Sequence, residues 1–233
     1  MLKNYFKILW RNIVRNKLFT VINVSGLTLG INCSLIMFLI VKEELSFNLY
    51  HEKAESIYRI GHRDLVDGRE YTQGGVPLPI RDAMEQDIVG LANIAHVYHH
   101  RYGLVSIGTP DESIDYYEEN PDLVYTEPSF FEMFTWPVKA GSLDNFDEPN
   151  MLVLTEELAE KYFPGESAVG RTVRLNKKTD FQVIAVLEDA PDNSDFPFGF
   201  FMSLETQKSN GTDFTRSNLS PCSPIRVIIE ILG

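Results

Sequence analysis

Residues Leu18 to Val41 read LFTVINVSGLTLGINCSLIMFLIV, 24 residues without a single Asp, Glu, Lys, Arg or His. As a helix this stretch rises about 1.5 Å per residue, roughly 36 Å in all, against a hydrocarbon core of about 30 Å. Buried helices of soluble proteins rarely run so long without a charge. The stretch predicts a transmembrane helix. A cleaved leader would carry an apolar run of about 7–15 residues ending in a small-x-small site. Here the run is longer and ends in Phe38-Leu39-Ile40-Val41, so an uncleaved anchor is expected.

The flanks set its direction. Lys3, Lys7, Arg11, Arg15 and Lys17 precede it with no acidic residue among them. Taking these five from the 21 basic residues of the chain leaves 16 against 33 acidic ones, a formal charge of −17 beyond Lys17. The positive-inside bias then keeps the N-terminus in the cytoplasm and sends the rest across. Residues 1–17 also predict an amphipathic helix. Their bases recur every four residues, while Leu2, Tyr5, Phe6, Leu9 and Ile13 gather on another face. Such a helix lies in the membrane interface with its bases on anionic headgroups, so Lys3, Lys7, Arg11, Arg15 and Lys17 are the expected membrane-docking residues.

The long helix carries more than an anchor needs. Asn23, Gly26, Gly30 and Cys33 step by three and four along one face, and Ser34 continues the i+4 spacing of the glycines. Small residues let a neighbouring backbone approach, and Asn can hydrogen-bond across the contact. This face is the expected site of packing against another membrane helix.

Just under 200 residues follow the anchor, enough to build a core without disulfide bridges. Cys33 lies in the anchor and Cys222 near the C-terminus, so the two are not expected to pair. The acidic balance argues against nucleic acid as a partner. Along the chain, Ile57 to His62 reads as a strand, with a hairpin signal at Asp67-Gly68. Gly74-Gly75 and Pro77-Leu78-Pro79 mark a loop, Ile80 to Asp87 a helix, and Ile94 to Ile107 a strand. Thr109-Pro110-Asp111 is a turn, and Leu123 to Tyr125 another strand. Ser129 with Glu132 has the form of a capping box. Met151 to Leu154 predicts a strand, with Thr155 capping a helix over Glu156–Tyr162. Arg171–Leu175 and Phe181–Leu187 pair around Asn176-Lys177-Lys178. Pro191 to Ser194 is a turn, and Phe198 to Leu204 the last strand. The class is α+β. From Thr206 the sequence turns polar and Pro-containing, and its apolar end is too short to span a bilayer.

Catalytic chemistry finds little support. Gly165 to Thr172 (GESAVGRT) falls one residue short of a phosphate-binding loop, with Arg171 in place of the lysine. A helix precedes it and a strand follows, the reverse of what that loop needs, so a structural turn is expected. His96, His99 and His100 would share a face only on a helix. On the expected strand they read as surface residues. Asp111, Glu112, Asp115, Glu118 and Glu119 read as a solvated acidic face. No cofactor, metal site or enzymatic activity is predicted.

The order of features resembles the MacB/FtsX-type permease subunits of ABC transporters. The stretches that carry the resemblance are FKILWRNIVRNKLFTVINVSGLTLGI, YTEPSFFEMFTWPVKAG, LVLTEELAEKYFPGESAVGRTVRLN and FQVIAVLEDAPDNSDFPF, in that order. The resemblance implies an interfacial helix over 1–17 and a transmembrane helix over 18–45. A periplasmic MacB-like domain of porter-like and sabre-like lobes would then occupy 46–205, and an irregular tail 206–233. It implies a bacterial inner membrane, membrane lipid and a separate ABC ATPase subunit as partners, and a second permease copy. Family members carry further closing strands and three more membrane helices, so an N-terminal part of a permease is expected. The mechanism implied is mechanotransmission, in which ATP-driven motion of the membrane helices is passed to the periplasmic domain. A single-pass binding or sensing domain is the alternative.

Overall fold

The computed structural model describes residues 2–74, 76, 80–100, 102–109, 112–119, 123–194, 196–210 and 225–231. The chain divides into two compact units, Met1–Phe47 and Asn48–Gly233. The first holds helix α1 (Leu2–Arg15) and helix α2 (Lys17–Glu44). They are separated at Asn16, whose φ of −112° and ψ of 58° leave the helical range. The break is bridged rather than open. Asn16 Nδ2 donates to Asn12 Oδ1 (2.9 Å), and the Thr20 hydroxyl reaches back to the Ile13 carbonyl (3.3 Å).

The second unit is a mixed α+β structure, as the sequence predicts. In chain order it contains β1 (Ile57–Ile60), β2 (His62–Val66), β3 (Arg69–Gln73), α3 (Ile80–Asp87), β4 (Leu91–His99), β5 (Tyr102–Thr109), β6 (Glu112–Glu119) and β7 (Leu123–Thr126). Then come α4 (Pro128–Met133), β8 (Val138–Gly141), β9 (Met151–Thr155), α5 (Glu156–Tyr162), β10 (Thr172–Leu175), β11 (Thr179–Leu187), β12 (Phe200–Ser203), α6 (Glu205–Ser209) and β13 (Ile225–Ile231). The main sheet runs β1-β13-β4-β7-β12-β9-β11-β10-β5-β6, with β8 also on β11. Among the described strands only β7/β12 and β9/β11 pair in parallel.

Side chains on a strand alternate between faces, and here both faces are buried. Leu152, Leu154, Phe200 and Met202 enter one core with Leu158 and Tyr162 of α5. Val153 and Phe201 enter the other, with Phe130 and Met133 of α4, Trp136 and Phe146. Hairpin β2–β3 forms a separate two-stranded sheet, turned at Asp67 (φ 51°) and Gly68 (φ 75°). Gly141 is required where it stands. Its φ is +79°, and a Cβ there would lie 2.0 Å from the Ile184 carbonyl oxygen of β11.

The structure departs from the sequence reading in several places. Ile94–Ile107 is two strands, β4 and β5, that break at His100. The acidic run after Asp111 is strand β6, the edge of the main sheet. Ser129 lies inside α4 rather than capping it, because its hydroxyl donates to the Ile94 carbonyl (2.6 Å). Thr155 occupies the cap position of α5, but Asp189 Oδ1 accepts the Glu157 N–H (2.9 Å) in place of its hydroxyl.

The tail is the largest correction. Thr206 is buried and accepts the Asn150 N–H (2.7 Å), and β13 lies between β1 and β4, with Ile228 opposite Ala95. The expected loop at Gly75 and Pro77–Pro79, the turn residues Pro110 and Asp111, and Cys222 lie outside the described residues.

Ile228 is 2% exposed and Ile231 41% exposed on the same strand. Ile228→Ala is expected to cost about 2–4 kcal/mol, and Ile231→Ala less than about 1 kcal/mol. Urea unfolding in detergent, followed by Trp136 emission in a Trp10→Phe background, measures both. Equal effects would mean that β13 is not part of the sheet.

Candidate functional site

No described side chain of α2 is buried along 28 residues, about 42 Å of helix, and all but Thr20 are exposed, with Leu18, Phe19, Leu27 and Phe38 among the most open. Mean hydropathy reaches 2.1 in its most apolar window, which makes it a candidate membrane span. In hydrocarbon its polar side chains need partners, and two find them on the helix itself. Ser34 Oγ donates to the Gly30 carbonyl (2.9 Å), and Asn32 Nδ2 to the Thr28 carbonyl (2.9 Å). Asn23, Gly26, Gly30, Cys33 and Ser34 all lie on this one helix. A Cβ placed on Gly26 or Gly30 meets nothing within 4 Å, so both notches are open in this chain. On α1, Lys7, Arg11 and Arg15 are exposed beside Tyr5, Ile8, Trp10 and Ile13, and Lys17 is exposed at the start of α2. The side chains of Lys3, Leu2, Phe6 and Leu9 are outside the described set.

In the sheet unit the histidines meet three different neighbours. His96 is 2% exposed, which corrects the surface reading. Its Nδ1 lies 2.8 Å from Glu127 Oε1, and Arg81 of α3 pairs with the other carboxylate oxygen of Glu127. His99 meets the ring of Phe198 edge-on, centroids 5.1 Å apart. His100 Nε2 lies 3.2 Å from Asn176 Nδ2, and burial lowers its pKa. Among the described residues no group of three His, Cys, Asp or Glu converges as metal ligands do.

Local sequence patterning does not reveal the Arg81–Glu127–His96 cluster, whose members come from α3, the β7–α4 junction and β4. Glu127 stands in front of Pro128, at the cap position of α4, and is 8% exposed. Burial by itself would raise its carboxyl. The hydrogen bond to His96, with the charges of His96, Arg81 and Lys208, holds it below the ordinary value of 4.5. Its one sequence signal is a carboxylate inside an otherwise apolar strand-to-helix junction.

The segment Gly165–Thr172 joins α5 to β10 and has the geometry of a turn. Gly165 and Gly170 take φ of +71° and +85°, Gly170 N–H donates to the Val183 carbonyl (2.8 Å), and Arg171 pairs with Glu166. Asp115, the acidic residue of β6 whose side chain is described, accepts from Ser106 (2.6 Å) and pairs with Lys177 (3.0 Å); these contacts hold its carboxyl below the usual range. The side chains of Glu112, Glu118 and Glu119 are not described.

Residues 20–229 match the profile of the MacB-like periplasmic core domain, a span that takes in most of α2 and nearly all of the sheet unit. The chain belongs to that family. It is thus a MacB-like periplasmic domain of the ABC-transporter permease class, with one candidate membrane span at its N-terminus.

Among solved structures, a domain of a putative permease from Porphyromonas gingivalis is similar at 17% identity and a TM-score of 0.63, covering 78% of this chain and 76% of that one. The periplasmic region of MacB from Actinobacillus actinomycetemcomitans aligns over 68% of this chain and 66% of that one, at 17% identity and a TM-score of 0.48. The extracellular domain of the noncanonic ABC-type transporter YknZ from Gram-positive bacteria aligns over 67% and 73%, at 14% and 0.45. The Porphyromonas likeness supports the fold. No curated protein matches the chain.

Glu127→Gln would leave Arg81 and His96 facing a neutral amide in a buried site, at an expected cost of about 3 kcal/mol. Glu70→Gln, in the exposed Arg63 pair, should cost less than about 1 kcal/mol. A lowered carboxyl adds stability that is complete above about pH 4.5 and fades as pH falls through the folded value. Urea midpoints between pH 6 and pH 3 should therefore fall less steeply for Glu127→Gln than for the parent chain.

Proposed function

We propose that this chain is a permease subunit, or the N-terminal part of one, of a MacB/FtsX-type ABC system of the bacterial inner membrane. In this reading residues 1–17 lie on the cytoplasmic face, α2 crosses the bilayer, and the sheet unit from Asn48 onward is periplasmic. A separate ATPase subunit hydrolyses ATP, and motion of the membrane helices is passed to the periplasmic unit to move or export a substrate. The observation that carries the reading is the continuous family match from residue 20 to residue 229, which joins the apolar helix and the sheet unit in one pattern. The distribution of charge supports the orientation, with five bases before Leu18 and a formal charge of −17 beyond Lys17. Membrane lipid, the ATPase and a second permease copy are the proposed partners.

Two experiments test this. Thr206 is buried and β13 follows it, so a topology reporter belongs after Gly233. A reporter active only in the periplasm should be active there; activity of a cytoplasmic reporter at that position would overturn the orientation.

The second concerns the proposed packing face Asn23/Gly26/Gly30/Cys33/Ser34. Within this chain a Cβ at Gly26 or Gly30 meets nothing within 4 Å beyond its own helix. A loss of association in Gly26→Leu or Gly30→Leu is therefore the expected mark of a neighbouring helix packed on this face. The expected loss is about 1–2 kcal/mol of association, up to roughly thirtyfold. Leu29→Ala and Leu35→Ala should lose much less. A cysteine-crosslinking scan along α2 in native membranes measures it, and equal scores for all four would reduce α2 to an anchor.

A further inference from the structure

Asn48 to Lys53 is the first stretch of the sheet unit that the chain enters after α2, and segments far along the sequence hold it. Asn48 N–H donates to the Asn193 carbonyl (3.0 Å), and the Tyr50 hydroxyl meets Ser194 Oγ (2.8 Å). Glu52 N–H donates to Thr135 Oγ1 (3.1 Å). Lys53 Nζ donates to the Glu132 carbonyl (2.9 Å) and pairs with Glu230 of β13 (3.1 Å).

His51 sits in the middle, 4% exposed. Its ring packs on Tyr50, Phe134, Trp136 and Phe196, with centroids 3.9, 4.8, 6.1 and 6.3 Å away. The Thr135 N–H donates to His51 Nδ1 (3.2 Å), so the neutral ring carries its proton on Nε2. That Nε2 is buried and has no hydrogen-bond partner among the described residues.

We propose that His51 is a proton-operated latch. Neutral, it pins Asn48–Lys53 to the Phe134–Trp136 strip and to Asn193, Ser194 and Phe196; protonated, it releases that segment while the sheet stays folded. A second ring proton would sit on Nδ1, pointing at the Thr135 N–H, and two donors cannot share a bond. The positive charge would also be enclosed by rings with no carboxylate among the described residues to meet it.

The described charged groups on the surrounding elements are engaged elsewhere or lie in solvent. Lys53 and Glu230 pair with each other, Glu132 belongs to α4 and gives its carbonyl to Lys53, and Glu52 and Asp192 are exposed. Burial pushes the His51 ring down to about 4 from the ordinary 6.5. The closed form thus binds fewer protons than the open form between those values. Opening therefore grows as pH falls through 6.5 and levels off below about 4, a rise of about fiftyfold from pH 7 to pH 4.5. Short loop contacts at the rim of a core are the parts of a fold that open first. The latch stands on this packing alone and does not rest on the transport reading.

Hydrogen exchange by mass spectrometry on the full chain in detergent micelles, corrected for the intrinsic pH dependence, tests it. From pH 7 to pH 4.5 the peptide covering Asn48–Lys53 should lose about fiftyfold in protection, while β9 and β11 keep theirs. His51→Gln and His51→Phe carry no titrating ring, and whichever folds should abolish the pH-dependent part. In a Trp10→Phe background the emission of Trp136 should shift over the same range and stay flat in the His51 variant. The proposal is overturned by a segment that stays protected at pH 4.5, by the same loss in the His51 variant, or by strands β9 and β11 opening with it. An NMR titration of the His51 ring with a midpoint near 6.5 overturns it as well.

Discussion

The sheet unit depends on strands that have no face to spare for water. In β7, Leu123 and Tyr125 enter one core and Val124 the other; in β9, Leu152 and Leu154 oppose Val153; in β12, Phe200 and Met202 oppose Phe201. Because successive side chains point to opposite faces, each of these strands obliges the fold to supply two covers. Helix α5 covers one side through Leu158 and Tyr162. On the other, α4 and the chain after it bring Phe130, Met133, Phe134, Trp136 and Phe146. The short helices and the aromatic strip lie where they do because the strands beneath them would otherwise be exposed. Their own brevity is no handicap, since packing rather than helix propensity stabilises them.

That division explains what could be read in the sequence and what could not. Helices α3 and α5, the hairpin at Asp67-Gly68 and the β10–β11 turn at Asn176-Lys177 rest on signals within a few residues, and all are present. Strand β13 rests on none. Ile225–Ile231 is a short apolar run behind a polar segment, and only the alignment of Ile57–Ile60 on one side with Leu91–Tyr98 on the other gives it a place. Ser129 shows the converse. Its capping-box pattern is sound locally, yet the Ile94 carbonyl on β4 takes the hydroxyl, and the helix begins at Pro128. His96 failed for the same reason, since its partner Glu127 comes from the β7–α4 junction and Arg81 from α3. The apolar character of α2 needed no partner to be read.

The two units meet opposite demands. The sheet unit hides its large apolar side chains in two cores, while α2 hides none and turns Ser34 and Asn32 back onto its own carbonyls. A helix with that arrangement asks for an apolar solvent, and one that also leaves Gly26 and Gly30 open can accept a close neighbour there. A single family pattern spans both units, so the helix is as much a part of this domain's design as the sheet.

The polar side chains of the sheet unit tie its elements to one another, in one buried cluster and several pairs at the surface. Glu127 takes His96 on one oxygen and Arg81 on the other, and the Thr126 hydroxyl donates to the His96 carbonyl (2.7 Å). Arg174 is held bidentately by Asp180 (2.5 and 2.7 Å), Arg171 by Glu166 and Lys139 by Glu156. The cluster at Glu127 binds α3 and the β7–α4 junction to β4, and the Lys53 pair binds the first residues of the unit to β13. Removing one partner of such a buried tie leaves a charge with no water to meet it, so the Glu127 cluster fixes how α3 and the β7–α4 junction sit on β4.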